Sequence, residues 1–335
     1  MDSLTQIVLG AAVGEAVLGK KVGNKAMLYG AIAGTIPDLD TFASAFTDTI
    51  TATEIHRGFT HSIVFSVLFA PVFGWLISKI ERKSIATWKN WSWLMFWGFF
   101  THPLLDAHTT WGTQLFWPLE TRLAYKNIFV IDPLYTLPFL IFLILAMRQK
   151  RGTKKRRKLN NLGLIVSSIY LLLITPALKL YTFNKFTDAL ENQEINYRKI
   201  ETKPSPLNAM LWTANVEVED AYLIGNYSIF DTQPIQFVSY PKNHQLLGDW
   251  KDKRNINRLI AIAEGWYTIS KKDGNLYFND LRFGTLSPVA DTNADFAFSY
   301  KLEEENGEIK ATETKKRPSD AKKLLGQLGQ RILGN

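Results

Sequence analysis

Residues 162–183 read LGLIVSSIYLLLITPALKLYTF, an apolar stretch of 22 residues whose one charged side chain, Lys179, is near its far end. A second apolar stretch, residues 128–147, has 20 residues and is interrupted by Asp132 and two prolines. About 20 apolar residues in a helix span the hydrocarbon core of a bilayer. Both stretches therefore predict membrane-spanning helices.

Four shorter apolar stretches precede these two. Residues 62–78 number 17, which is the lower limit for a span, and residues 91–105 are short but rich in Trp and Phe. Residues 4–18 and 26–36 are shorter than a span should be. Taken together, the apolar stretches predict a multi-pass α-helical membrane domain over residues 1–183.

The first two apolar stretches share a spacing of small residues. Gly10 and Gly14 lie four apart in one, and Gly30 and Gly34 lie four apart in the other. Glycines at this spacing let two helix backbones approach closely. We therefore expect a helical hairpin packed against the longer helices.

The charge of the chain is concentrated. The net charge is +8 with no Cys, and residues 148–158 (RQKRGTKKRRK) hold eight Lys or Arg and no acid. A basic run beside apolar stretches is a topology signal, so we expect no nucleic-acid partner. Two smaller basic clusters lie in residues 20–25 and 79–89. An even number of predicted crossings separates the clusters, so all three should lie on the same face of the membrane. The prediction is a membrane protein with cytoplasmic basic loops and a lipid bilayer as its partner, of unknown oligomeric state.

The second half of the chain has a different character. Residues 184–335 are predicted to form a small soluble α+β domain with a charged C-terminal tail, on the face opposite the basic loops. The turn Lys272-Asp273-Gly274-Asn275 predicts a hairpin. Alternating or β-branched stretches predict strands at residues 211–218, 222–230, 235–240, 266–270, 276–281 and 296–302, and a helix is predicted near residues 246–264.

Histidines and aspartates cluster at the ends of the apolar stretches. Four of the five His lie between residues 56 and 108, in the motifs HRGFTHS (56–62) and HPLLDAH (102–108), and PDLD (37–40) precedes both. Imidazole with carboxylate suits zinc, manganese or iron. The sequence predicts a site for a divalent metal, most simply Zn²⁺. The candidate ligands are Asp38, Asp40, His56, His61, His102, Asp106 and His108.

His102 and Asp106 are four residues apart and would share one face of a helix. Pro103 disfavours helical angles at the residue before it, so an alternative is His102 at a helix N-cap with Pro103 at the first helical position. We therefore expect this pair to be the first place where the geometry of the site fails.

Two further polar residues are candidates for catalysis. Glu15 lies in an apolar helix, where it is either a general base or a polar partner of the Asp/His cluster. Arg57 lies beside His56 and has the guanidinium geometry that binds a phosphate in a bidentate manner.

These motifs resemble a known family. The opening MDSLTQ (1–6), PDLD (37–40), HRGFTHS (56–62) and THPLLD (101–106) are similar to the YdjM-like family of bacterial inner-membrane proteins, described as metal-dependent hydrolases and in some cases as LexA-binding. Many members have a His where this chain has Gln6, and amide side chains are poor metal ligands. The resemblance implies a metal-dependent hydrolase.

The position at a bilayer edge favours an amphipathic or lipid-linked ester or phosphoester as substrate. Metal-activated water would be the nucleophile. Two other classes stay open: a metal-binding transporter component, because ionisable residues in spans also mark ion paths, and a non-enzymatic scaffold with a structural metal site.

Overall fold

The computed structural model describes residues 1–287, 295–314 and 321–335. The predicted charged tail falls partly on residues 315–320, which lie outside the described residues. Contacts divide the chain into two compact units, which we call the helical unit and the sheet unit. The helical unit comprises Met1–Ala43, Ile55–Pro176 and Pro206–Asn208, and the sheet unit comprises Ser44–Glu54, Ala177–Ser205 and Ala209–Asn335.

Helices dominate the first 192 residues. Side-chain caps begin several of them: Asp2 accepts a hydrogen bond from the Thr5 amide, and Ser62 accepts one from the Phe65 amide. The α-helices are α1 Ser3–Val22, α2 Asn24–Thr35, α3 Thr49–Ile55, α4 Ile63–Ile80, α5 Trp88–Asp106, α6 Pro133–Met147, α7 Lys154–Ile169 and α8 Thr175–Asn192. Two 3₁₀ segments, Ile36–Ala45 and Phe59–His61, and a π-helical turn, Tyr170–Ile174, complete this part.

Helices α1 and α2 form the expected hairpin, and the glycine prediction is confirmed. A Cβ on Gly14 would lie 2.2 Å from the Ala26 carbonyl oxygen, and one on Gly10 would lie 2.3 Å from the Gly30 carbonyl oxygen. Only glycine allows backbones to approach this closely. The hairpin brings the start of α1 and the end of α2 alongside α5.

The expectation of a multi-pass membrane domain is wrong. Among the described residues, two helical stretches are long and apolar enough to cross a bilayer: Ile63–Ile80, and the continuous Lys154–Asn192. Helix α6 has 15 residues, fewer than the roughly 20 that a crossing needs. Helix α5 has Lys89 and Asn90 in its first turn and His102 and Asp106 in its last two turns, and it buries nine residues within the protein. One or two such helices also occur in the cores of soluble proteins, so they are weak evidence for membrane spans. The observed fold is a helical N-terminal region followed by two antiparallel sheets.

Each sheet of the sheet unit has four antiparallel strands in chain order. The predicted strands are confirmed, with one more in each sheet. The strands are β1 Lys199–Pro204, β2 Leu211–Glu217, β3 Ala221–Ser228 and β4 Phe237–Pro241, then β5 Tyr267–Lys272, β6 Asn275–Thr285, β7 Phe296–Glu305 and β8 Glu308–Glu313. A 3₁₀ segment, His244–Asp252, and α9, Arg254–Ile262, occupy the predicted helical stretch, and α10, Ala321–Ile332, follows β8.

The predicted turn between β5 and β6 is also confirmed. Lys272 pairs with Asn275, and the two residues between them, Asp273 and Gly274, both have positive φ angles of 51° and 79°. Two successive left-handed residues are what a two-residue hairpin of type I′ requires.

Candidate metal centre

Three chain segments of the helical unit deliver four side chains to one point. Asp38 lies on the 3₁₀ segment that follows α2, and His61 ends the 3₁₀ segment that precedes α4. His102 and Asp106 lie one turn apart at the end of α5. One ligand atom from each of these four residues lies within 4.8 Å of the other three. We call these four residues the Asp/His cluster.

The helix containing Pro103 continues through it, so the alternative of an N-cap at His102 is wrong and the shared helical face is confirmed. Pro103 lies inside α5, and the His102 Nε2 to Asp106 Oδ2 distance is 3.6 Å across one turn. Pro103 supplies no amide hydrogen bond to the helix, yet His102 keeps the face that it shares with Asp106. The pair that we expected to fail first therefore shares one face.

The hydrogen bonds of His61 define which of its nitrogens carries the proton. Thr60 Oγ1 donates to Asp40 Oδ2 at 3.0 Å, so its oxygen is an acceptor for His61 Nδ1, also 3.0 Å away. Asp40 Oδ2 lies 3.3 Å from the same Nδ1. Because both neighbours of Nδ1 are acceptors, Nδ1 carries a hydrogen, and in the neutral ring Nε2 presents a lone pair to the cluster.

The same argument applies to His102 with a backbone partner. Its Nδ1 lies 2.7 Å from the Gly34 carbonyl oxygen, which can only accept. The proton is therefore on Nδ1, and Nε2 again presents a lone pair. The two Nε2 atoms, of His61 and His102, are 3.1 Å apart.

Asp106 is held by one oxygen and leaves the other free for the cluster. Its Oδ1 accepts hydrogen bonds from Gln6 Nε2 at 2.9 Å and from the Met1 amine. Its Oδ2 is buried and accepts no hydrogen bond within the described part of the chain, although Arg57 Nε lies 3.1 Å away. A buried carboxylate oxygen is costly unless a cation is nearby, and the Arg57 guanidinium supplies that charge beside the cluster.

The distances from the two histidine nitrogens to each other and to the two carboxylate oxygens fit a small tetrahedrally bound cation. The distances from His61 Nε2 to Asp38 Oδ1 and Asp106 Oδ2 are 3.2 and 3.4 Å, and those from His102 Nε2 are 3.4 and 3.6 Å. Metal–ligand bonds of about 2.0–2.2 Å place the corners of a tetrahedron about 3.3–3.6 Å apart. The donor set therefore fits a divalent metal.

The electrostatics also favour positive charge at this point. Burial alone lowers the pKa of His61, but hydrogen bonds to Asp106, Asp38 and Asp40 raise it to about 9. Burial opposes ionisation of Asp38, yet its contacts with the His102 and His61 imidazoles hold its pKa below the usual range for a carboxylic acid. Both carboxylates of the cluster are therefore ionised at neutral pH, and a bound metal ion would take the place of the second His61 proton.

Asp40 and His56 lie beside the Asp/His cluster and not within it. The Asp40 carboxylate is buried and accepts from His56 Nδ1 at 2.9 Å and from the Arg57 amide at 2.8 Å, in addition to its contacts near His61. His56 has 26% of its side chain exposed. Asp40 therefore orients two histidines, one toward the cluster and one toward solvent.

The other predicted site residues have different surroundings. Arg57 is buried and spans Asp106 and the Thr109 hydroxyl, to which its Nη1 donates at 2.8 Å. His108 contacts Asn127 Oδ1 through Nδ1 at 2.9 Å. Glu15 forms a buried ion pair with Arg156, at 2.6 Å, and lies nine residues along α1 from Gln6, a distance of about 13 Å.

Sequence reasoning missed the groups that hold the ligands in place. Gln6 and the Gly34 carbonyl each contact a cluster residue, and both come from the glycine hairpin. The signal was available in part, because Gln6 belongs to the opening motif and Gly34 follows the glycine spacing. Nothing in the sequence indicated that a backbone carbonyl would orient His102.

One side of the cluster reaches the surface. The side chains of His61, His102 and Asp106 are fully buried, whereas that of Asp38 is 22% exposed. Leu39 and Phe42, on the same 3₁₀ segment, are 49% and 67% exposed. Access to the cluster is therefore from the Asp38 side, past apolar side chains.

This combination defines a helical protein with a histidine–aspartate group that could bind a metal ion. The profile of the YdjM inner membrane protein family matches residues 1–180, which is more than half of the chain. The chain belongs to this family of inner membrane proteins, as its motifs indicated. No curated protein and no solved structure matches it.

Proposed function

We propose that this protein is a metal-dependent hydrolase of the inner membrane that cleaves an ester or phosphoester of an amphipathic substrate. The observation that carries the proposal is the convergence of Asp38, His61, His102 and Asp106, with the two Nε2 atoms 3.1 Å apart. Zinc is the proposed metal because the ligand spacing is tetrahedral and the donors are nitrogen and oxygen.

When bound, such a metal lowers the pKa of a water and polarises the ester oxygen. The protein supplies the remaining functions. Asp40 and Gly34 fix the two imidazoles, and Gln6 fixes Asp106. Their hydrogen bonds keep the ligating atoms aligned without rearrangement.

His56 is the proposed proton carrier beside the cluster. Asp40 accepts a hydrogen bond from His56 Nδ1, and the Nε2 atom of this partly exposed ring is then the one that exchanges a proton with the substrate or water. Arg57 neutralises Asp106 and is committed to it, so we assign it a positioning role and not phosphate binding.

The substrate class follows from the open side of the cluster. A substrate that approaches Asp38 passes the exposed side chains of Leu39 and Phe42. Apolar flanks favour a substrate with an acyl or prenyl portion next to its ester. A lipid-linked ester at the membrane surface has this character.

We further propose that the basic turns face the cytoplasm and the cluster faces the opposite side. Lys20 lies 14 residues from Gln6 along α1, or about 21 Å. The proposal follows the positive-inside rule. Reporter fusions test it at Gly152, in a basic turn, and at Asn306, in the C-terminal domain that the sequence places on the opposite face. Readouts from the same compartment would contradict the proposed orientation.

A structural metal is the second candidate, since three of the four ligands are buried and four ligands already complete a tetrahedron. The test uses full-length protein in neutral detergent, with metal content, chelator-dependent unfolding and hydrolysis of short- and long-chain esters and phosphoesters measured together. His61→Ala and His102→Ala should lose the metal and the activity, and His244→Ala should keep both. Hydrolysis lost at unchanged melting temperature supports the enzyme; a large fall in melting temperature with no hydrolysis in the wild type supports the structural metal and refutes the enzyme.

A further inference from the structure

Three turns that are distant in sequence meet at one end of the helical unit. The Arg151 guanidinium donates to the Lys21 carbonyl oxygen at 3.3 Å, and the Lys21 ammonium donates to Asn90 Oδ1 at 2.9 Å. Lys25 forms an ion pair with Glu81. We call this surface the basic end; it comprises the turns at residues 20–25, 79–89 and 148–158.

The basic end has a large uncompensated positive charge. Its three turns hold three, four and eight Lys or Arg, against a single carboxylate, Glu81. Arg156 is buried against Glu15, and every other cation of the basic end is exposed. A surface of this charge attracts polyanions or anionic membranes.

A groove along α7 adds an apolar portion to this charge. It has a volume of about 510 Å³. The face of α7 that packs against the protein carries Arg156, Asn160, Gly163 and Ser167, so the groove occupies the opposite face. Its lining changes from basic to apolar along the helix: Lys154, Lys155, Arg157, Lys158, Asn161, Leu162 and Ile165.

Tryptophans next to lysines mark the same end. The Lys79 ammonium lies 5.5 Å from the centre of the Trp75 ring, and the Lys89 ammonium lies 6.0 Å from the Trp88 ring. Both indoles are about half exposed. Exposed Trp beside Lys is typical of proteins at the headgroup level of a bilayer.

We propose that the basic end binds the headgroups of anionic phospholipids, with one lipid in the α7 groove. The phosphate would contact Lys155, Arg157 and Lys158, and the acyl chain would lie along Leu162 and Ile165. Nucleic acid or free phosphate would use the charge but leave the apolar half of the groove uncovered. Only a lipid matches both halves.

The test measures binding of fluorescent short-chain phosphatidylglycerol and phosphatidylcholine to the full-length protein in neutral detergent. The variant is the triple substitution Lys155→Gln, Arg157→Gln, Lys158→Gln, which leaves the buried Arg156 intact. Each basic residue near an anionic surface contributes about fivefold to binding, so the variant should bind phosphatidylglycerol roughly 100-fold more weakly. Its affinity for phosphatidylcholine should not change.

The matched control removes three exposed lysines of the sheet unit: Lys251→Gln, Lys271→Gln, Lys272→Gln. It should bind phosphatidylglycerol as the wild type does. Wild-type binding should also weaken in high salt, a measurement that does not depend on any variant folding. Equal affinity for the two lipids, an unaffected triple variant, an equally weakened control or salt-insensitive binding would each overturn the proposal. So would displacement of the lipid by inorganic phosphate or duplex DNA at similar concentrations.

Discussion

Asp40→Asn should weaken metal binding without removing a ligand of the Asp/His cluster. The Asp40 carboxylate is buried and is surrounded by four donors: His56 Nδ1, the Arg57 amide, Thr60 Oγ1 and His61 Nδ1, at 2.9, 2.8, 3.0 and 3.3 Å. An amide keeps one acceptor oxygen but removes the negative charge and offers an N–H where His61 also has one. The His61 ring then loses its fixed orientation and its added basicity.

The expected loss is about 10- to 100-fold in metal affinity, the usual effect of removing an outer hydrogen-bond partner of a ligating histidine. This corresponds to about 1.4–2.7 kcal/mol of binding free energy. Full-length protein in detergent is stripped with a chelator and titrated with Zn²⁺ against a chromophoric competitor. At saturation the variant should still bind the same number of ions, because no ligand is lost.

Asp48→Asn is the matched control. Asp48 is also an aspartate that accepts hydrogen bonds from following residues, from the Ile50 and Thr51 amides at 3.0 Å, but it belongs to the sheet unit. Its substitution should leave the affinity unchanged. Wild-type affinity in Asp40→Asn, or an equal loss in both variants, would show that the hydrogen bonds to His61 do not control the metal.

Three further predictions concern stability and titration. Gly14→Ala places a methyl group 2.2 Å from the Ala26 carbonyl oxygen and should cost about 1–3 kcal/mol of unfolding free energy, seen as a lower melting temperature. A Cβ added at Gly326 meets no atom within 4 Å, so the control Gly326→Ala should be neutral or slightly stabilising. Glu15→Gln leaves Arg156 buried without its carboxylate and should cost about 3–5 kcal/mol while metal content stays normal; a stable variant that cannot hydrolyse substrate would instead return Glu15 to a catalytic role. Burial lowers the pKa of His244, so its NMR titration should fall below that of a free histidine, about 6.5. As the pH falls, the unfolded chain binds a proton at His244 before the folded protein does, so this residue lowers the free energy of unfolding below about pH 6.5. In His244→Gln the free energy of unfolding should fall less steeply over that pH range.

The sequence predicted the members of the Asp/His cluster better than their partners. Motif residues from three apolar ends were expected to converge, and Asp38, His61, His102 and Asp106 do so. Asp40 and His56 belong to the same motifs, but residue type alone does not separate a ligand from the group that orients it. That distinction depends on which ring nitrogen meets which acceptor, and only coordinates supply it.

The prediction of a multi-pass membrane domain failed for a physical reason that hydropathy does not show. Residues 91–105 are apolar enough to suggest a span, but α5 buries Trp91, Leu94 and Phe99 against neighbouring elements of its own unit. Residues 4–18 bury small side chains against α2 in the same way. An apolar helix in the centre of a protein and one in a bilayer have similar compositions, so hydropathy alone does not give the number of membrane-spanning helices.

The four ligating atoms also have a bearing on how long the protein persists in a cell. Asp38 and His61 are 23 residues apart, and His61 and His102 are 41 residues apart, so a bound ion would tie two long loops together. Binding free energy of this kind is also folding free energy. Cells starved of the metal should then contain less of the protein, because the open form reaches the proteases that remove unfolded chains. Steady-state abundance would report metal supply before any reaction is assayed.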